Sequence, residues 1–213
     1  MKIDKLLEMY QNKKDEIQKR LKEFKEISNQ SDERVFAELA FCICTPQSKA
    51  FVCDKSISTL EKNGLLFTGN EKQIENFLNG VRFPKNKAKY IVEARKFFTE
   101  DGKLKIKEKI LMHKDAFELR DWLIENVKGL GIKEASHFIR NMGFGNEQLA
   151  ILDRHILKNL KELGVIEEIP KVITRTIYLE IENKMREFSK RIKIPMYELD
   201  MLLWSKETGK VFK

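Results

Sequence analysis

The chain has 213 residues, with 41 Lys and Arg against 33 Asp and Glu, a formal charge of +8 and three cysteines. That length supplies one or two small domains with a full apolar core, and the basic surplus suits a polyanionic partner. No stretch approaches the ~18–20 apolar residues of a membrane span, and the opening MKIDKLLEMY is too charged for a signal peptide. Cys42, Cys44 and Cys53 lack CxxC spacing, so buried reduced thiols in an intracellular protein are expected.

Nearly every segment has helical periodicity. Residues 4–28 carry Leu6, Leu7, Tyr10, Ile17, Leu21 and Phe24 on a charged background, with Asp4 as the expected cap. Ser31-Asp32 opens a second helix whose interior, Phe36 to Ile43, is too apolar to be exposed. Thr45-Pro46 closes it, because proline disfavours helix in the residue before it. Ser48 to Leu60 forms the next, and Asn70-Glu71-Lys72-Gln73 reads as a capping box for a short helix to Leu78. Gly80 to Pro84 is a break, after which helix resumes from Lys85 to Phe98. Asp115 with Glu118 forms another capping box, opening a run from Phe117 to Val127. Pro170 and Pro195 suit first helical turns and introduce 171–190 and 196–207. No strand pattern exceeds a few residues, so the expected fold class is all-α.

The chemistry concentrates in residues 127–155, VKGLGIKEASHFIRNMGFGNEQLAILDRH. Lys128-Gly129-Leu130-Gly131 is a glycine-spaced turn between two helical runs, the second with Ala135, Phe138, Ile139 and Met142 on one stripe. Amides at such a turn suit a phosphate, since donors and helix dipole both favour negative charge; a plain helical turn is the alternative. Lys133 lies in the first turn of the second helix, where the dipole and Lys128 disfavour another cation, so some neutral, nucleophilic amine is expected. His137 follows one turn later on the same face. Asp153 precedes another helical run. Either residue also has an ordinary reading, Lys133 as a solvated lysine and Asp153 as an N-cap. No carboxylate–histidine cluster has metal-ligand spacing, so no metal site is expected.

KGLGIKEASHF followed by AILDRH resembles the helix-hairpin-helix DNA glycosylase superfamily, with its Gly-x-Gly hairpin, a lysine two residues on and an aspartate about twenty later. Within it the chain is most similar to the 8-oxoguanine DNA glycosylase/AP lyases of archaea and thermophilic bacteria. FAELAFCICTPQSKA at 36–50, VRFPKNKAKYIVEARK at 81–96 and ELDMLLWSKETGKVFK at 198–213 agree, so the similarity spans nearly the whole chain.

The resemblance implies two helical lobes with the active cleft between them, one of approximately 32–125, the other of 1–31 with 126–213, and the hairpin at 117–143. It implies a bifunctional enzyme that excises 8-oxoguanine from double-stranded DNA through a Lys133 Schiff base assisted by Asp153, followed by β-elimination. DNA backbone grip would fall to Lys128, Gly129, Leu130 and Gly131, with His155 as a further phosphate contact and Gln47 filling the gap left by the flipped nucleotide. Base recognition would use His137, Trp204, the terminal Lys213 and Phe83. A surface glutamine at 47 and a core tryptophan at 204 remain the plainer alternatives. A monovalent cation at the hairpin is a family feature. The superfamily's iron–sulfur cluster is not expected, because no cysteine follows Cys53. A cytoplasmic, nucleoid-associated monomer is expected. The rivals are an endonuclease-III-type glycosylase for oxidised pyrimidines and a non-enzymatic helix-hairpin-helix DNA-binding module.

Overall fold

A computed structural model describes residues 2–144 and 148–212; the expectation placed on Lys213 falls outside the described residues. These form α1 (Ile3–Ile27), α2 (Asp32–Cys44), α3 (Ala50–Lys62), α4 (Leu65–Thr68), α5 (Glu71–Glu75) and α6 (Pro84–Phe98), then the short strands β1 (Thr99–Glu100) and β2 (Lys103–Leu104). The order continues with α7 (Ile106–Leu111), α8 (Ala116–Asn126), α9 (Ile132–Asn141), α10 (Arg154–Glu162), α11 (Arg175–Ile192) and α12 (Met196–Thr208). The fold is all-α, the strands making one antiparallel pair in which Thr99 faces Leu104.

The middle of the molecule is α2. Every residue from Val35 to Cys44 is buried, as its apolar run dictates, and the helix packs against α3, α6, α7 and α9. Ser31 starts it by accepting the Arg34 N–H on its hydroxyl. The long α1 buries Leu6, Tyr10, Ile17, Phe24 and Ile27 along one face, against α9 and α12. Fully burying such side chains contributes roughly 1.5–3 kcal/mol each. Across the 127–131 turn α8 packs on α9, which gives the helix-hairpin-helix unit.

Two buried polar chains run through this apolar body. In the first, Arg34 pairs with Glu38 at 3.2 Å, and Glu38 accepts from Asn141 Nδ2 at 2.7 Å. Asn141 Oδ1 accepts from Arg140 Nε at 3.1 Å, and Arg140 pairs with Asp200 at 2.6 Å, so α2, α9 and α12 are linked in series. In the second, Arg120 of α8 pairs with Glu182 of α11 at 2.7 Å, both nearly sealed from solvent, and donates to Ser136 of α9 at 3.3 Å. Tyr10 and Gln18 of α1 meanwhile donate to Glu198 of α12, at 2.7 and 3.1 Å.

Several boundaries differ from the sequence expectation. Asp4 sits in the first turn of α1, whose N-cap is Lys2. Asp115 caps α8 by accepting the Phe117 and Glu118 amides, but Glu118 reaches the Lys114 amide, so the reciprocal half of a capping box is not made at Asp115. α11 begins not after Pro170 but at Arg175, where Thr174 accepts the Ile177 N–H; the intervening Val172, Ile173 and Thr174 are β-branched and Val172 and Ile173 are exposed. α4, α7 and the strand pair are too short to show a period. The capping box at Asn70 and Gln73 is made in both directions.

Candidate active site

The helix starts decide where the charged groups go. α9 begins at Ile132 immediately after the hairpin, so Lys133 occupies its first turn; α10 begins at Arg154, with Asp153 as its N-cap. Both line one cleft of about 880 Å³, together with Gln47, His137, His155 and Trp204. The cleft is walled by the 45–51 stretch on one side and by α9, α10 and α12 on the other.

Asp153 is held by its own helix. Its Oδ1 accepts the His155 and Ile156 amides at 2.8 and 2.9 Å, the N-cap geometry expected of this residue type. Both bonds go to Oδ1, so capping alone does not engage Oδ2. The approach segment is fixed from α11: Tyr178 donates to Ala150 O at 2.6 Å, Glu182 Oε1 accepts the Ala150 N–H at 2.8 Å, and Arg186 donates to Gln148 O at 2.8 Å. Burial pushes the Tyr178 phenol up, so it stays a donor.

The surroundings of Lys133 correct the electrostatic picture drawn from sequence. Its Nζ pairs with Glu134 Oε1 at 3.0 Å, while Lys128, the cation expected to crowd it, pairs with Glu93 at 3.4 Å. The hairpin amides also differ from the expectation that all three face outward. Gly131 N–H donates to Glu134 Oε2 at 3.2 Å and Leu130 N–H to Val127 O at 3.3 Å, so two of the three are engaged within the protein, and the Leu130 side chain is buried. Gly129 adopts φ 90°, and a Cβ there would stand 2.6 Å from the Tyr90 ring of α6. Glycine is thus required twice at this position, by backbone and by space. Lys128, Gly129, Leu130, Gly131 and Phe83 are not among the residues lining the cleft.

His137 is 6% exposed and lies edge-on to Phe41, ring centroids 5.5 Å apart. Trp204 is half-buried on α12, whose Leu199, Leu202 and Leu203 fill the core, while the indole itself reaches the cleft. It belongs to an aromatic group that sequence reasoning missed: Phe212 stacks on Phe51 at 4.1 Å, and Trp204 lies 6.3 Å from Phe212 and 6.4 Å from Phe51. Phe51 and Phe212 are 161 positions apart, and nothing local in the sequence marks them as neighbours. In the wall of the cleft, burial pushes the Asp200 carboxyl up to about 7 against the pull of Arg140, and the charge of Asp153 adds to the rise.

Two further residues had a readable signal. Lys87 stands on the stripe shared by Ile91, Ala94 and Phe98, and a lysine on an apolar stripe is unusual. Asp200 interrupts an apolar run between Leu199 and Met201. Both are buried and bonded.

Among the described residues no group of three or more His, Cys, Asp or Glu side chains could hold a metal. The hairpin offers backbone carbonyls, of which Val127 O and Gly131 O accept the Leu130 and Ala135 amides. No described helix is long and apolar enough to cross a membrane.

A family model for 8-oxoguanine DNA glycosylase matches residues 17–194. A protein of Fusobacterium nucleatum subsp. nucleatum named 8-oxoguanine DNA glycosylase/AP lyase is 46% identical over 99% of this chain and 97% of its own. One of the same name from Methanocaldococcus jannaschii is 40% identical over the whole of both chains. The crystal structure of the M. jannaschii 8-oxoguanine glycosylase/lyase in complex with a 15mer DNA containing 8-oxoguanine superposes with a TM-score of 0.89 at 38% identity, covering 99% of each chain.

Proposed function

The chain belongs to the 8-oxoguanine DNA glycosylase family, and from that premise we propose that it excises 8-oxoguanine from double-stranded DNA and then cleaves the abasic strand by β-elimination. The observation that carries this reading is the meeting of Lys133 and Asp153, each at the start of its own helix, in one cleft with Gln47, His137 and Trp204. The cleft would lie between the lobes of 32–125 and of 1–31 with 126–213.

A glycosylase reaches C1′ only after flipping the nucleotide out of the duplex, which costs a few kcal/mol of stacking and pairing. Gln47, exposed at the cleft rim, fills the vacated space. The flipped base enters beside Trp204 and His137; aromatic stacking contributes roughly 1–3 kcal/mol per base. The lesion differs from guanine in carrying a donor at N7 where guanine has an acceptor. An oxygen acceptor in the pocket would therefore favour the lesion, and facing guanine it would go unsatisfied at about 1–3 kcal/mol. Lys213 is the candidate for that recognition, and the residue before it, Phe212, lines this cleft.

In the reaction Lys133 Nζ passes a proton to the Glu134 carboxylate with which it pairs, and the amine attacks C1′ while the C1′–N9 electron pair departs with the base. Asp153 offsets the positive charge that develops on the sugar and accepts the proton from the attacking nitrogen. Ring opening gives an imine at C1′, and loss of a C2′ proton then expels the 3′ phosphate. Lys128 and the Gly129 amide hold the DNA backbone, with His155 reaching a phosphate. A monovalent ion at the hairpin carbonyls would add to that grip, and no chemical step uses it. The activity fits a cytoplasmic protein associated with the nucleoid.

Borohydride trapping on an 8-oxoguanine duplex tests the reading. A covalent protein–DNA adduct that vanishes in Lys133→Gln is expected. No adduct with the unaltered chain would instead support a hairpin DNA-binding module, and preferential cutting of a thymine glycol duplex would support the oxidised-pyrimidine rival.

A further inference from the structure

Gln47 and Phe83 are two of only four non-glycine residues with positive φ among the described residues, at 55° and 56°. They stand on separate loops, one after α2 and one before α6. Side chains of this size are disfavoured in that backbone region and persist there where their surroundings over-determine them. Here the two loops are tied to each other at one point. Ser48, next to Gln47, accepts on its hydroxyl the N–H of Arg82, next to Phe83, at 2.9 Å. The same hydroxyl oxygen is 3.0 Å from Lys87 Nζ, and Lys87 donates in addition to the carbonyls of Cys44 at 2.6 Å and Pro46 at 2.7 Å.

Lys87 is 4% exposed, so its ammonium has been taken out of water and all three donors are spent on the 44–48 turn. Burial lowers its pKa accordingly. A stability role alone would be served as well by an apolar side chain on this stripe. What the ammonium adds is direction: it fixes three oxygens of one turn, and through Ser48 the neighbouring loop as well. The two residues so presented are unlike ordinary loop side chains. Gln47 is exposed, and Phe83 is 49% exposed with the Arg82 guanidinium over its ring at 4.9 Å. A flat apolar ring flanked by a cation is suited to slip between base pairs while the cation meets phosphate.

We propose that Ser48 and Lys87 form a single positioning node that sets Gln47 and Phe83 as the two halves of one wedge, so that both enter the duplex together when the nucleotide is turned out. The node rests on the glycosylase reading above. Neither Ser48 nor Lys87 touches the reacting atoms in this assignment; they act through the two side chains they orient.

The test compares the unaltered protein with Ser48→Ala, Ser48→Thr and Lys87→Met. It uses a duplex carrying 8-oxoguanine beside a fluorescent base analogue that brightens on unstacking, and a second duplex with a preformed abasic site. Ser48→Ala and Lys87→Met are expected to lose the unstacking signal and to slow excision about tenfold, about 1.4 kcal/mol of transition-state stabilisation. Borohydride trapping at the abasic site, where no base has to leave its stack, should fall much less. Ser48→Thr, which keeps the hydroxyl, should restore both signal and excision. If Lys87→Met does not fold, Ser48→Ala against Ser48→Thr decides. Full unstacking and excision in Ser48→Ala overturns the node alone. So does a parallel loss of excision, trapping and unfolding temperature, which marks a structural staple. Absence of excision and trapping in the unaltered protein overturns the glycosylase reading and the node with it.

Discussion

Lys133 and Asp153 reach the same cleft by stretches of chain that are held in opposite ways. Before Lys133 the contacts are mostly between near neighbours: Leu130 N–H to Val127 O, Gly131 N–H to Glu134, and Glu134 to Lys133 itself, with Tyr90 against Gly129 as a distant support. Before Asp153 they come from far along the chain. Tyr178, Glu182 and Arg186 of α11 clamp residues 148–152, and Glu182 is held in turn by Arg120 of α8. A turn closed by neighbours costs little loop entropy and forms wherever its sequence occurs, whereas a segment clamped by a distant helix exists only once the fold does. One half of the candidate site is therefore local and the other is a product of assembly.

The sharpest way to break the contrast is to remove the distant clamp. Arg120→Met takes from the buried Glu182 carboxylate the closer of its two guanidinium partners, leaving Arg186 at 3.6 Å, and should cost about 3 kcal/mol in urea unfolding. Arg120→Met with Glu182→Leu should recover part of that loss, although the Ala150 amide then loses its acceptor. A single-variant cost near that of a surface change would mean the Asp153 side is not clamped this way. The local side should yield less. Gly129→Ala drives a Cβ into the Tyr90 ring from a left-handed backbone and should cost about 1–3 kcal/mol. Trimming Tyr90 to Ala in the same chain should relieve the steric share, and strict additivity of the two changes would show that the hairpin does not lean on α6.

A smaller effect is set by pH. The Asp200 carboxyl, raised by burial from 3.8 to about 7, binds its proton more tightly in the folded chain than in the unfolded one. Its contribution to stability is therefore fully present below pH 3.8, falls as pH rises through the window up to about 7, and is flat above it. Unfolding temperatures across that range should show a decline that Asp200→Asn flattens, whatever the variant's overall stability; parallel profiles would rule the linkage out. The least effect is chemical silence. Cys42, Cys44 and Cys53 are buried, and burial pushes the Cys53 thiol up to about 11. Iodoacetamide at pH 8 should leave the folded protein unmodified by mass and alkylate all three thiols in denaturant.

The same division explains what could be read in advance. The hairpin, Lys133 and the α10 cap were legible because glycine, lysine and aspartate stand at fixed short spacings, and the apolar run of α2 announced a buried helix. Lys87 and Asp200 left a trace, each a charge on an apolar surface, but the partners that make sense of them are 39 to 60 positions away. Tyr178, Glu182 and the Phe51–Phe212 stack left none, since their meaning is a meeting between α11 and the 148–152 segment, or between α3 and the chain's end. Glu134 stands beside Lys133 in the sequence and went unread, because whether an adjacent carboxylate turns toward a lysine depends on the rotamer that the hairpin amide selects.

The chain of ion pairs and hydrogen bonds from Arg34 through Glu38, Asn141 and Arg140 to Asp200 bears on the helix that carries Lys133. Apolar helices tolerate slight rolling or sliding, because one methyl group can replace another at small cost. Here a roll of one residue would part the Arg140 guanidinium from Asp200 and the Asn141 amide from Glu38 inside a medium with little water to receive them. The bearing of α9 is thus settled during folding, and any later adjustment around the cleft is left to the loops beside it.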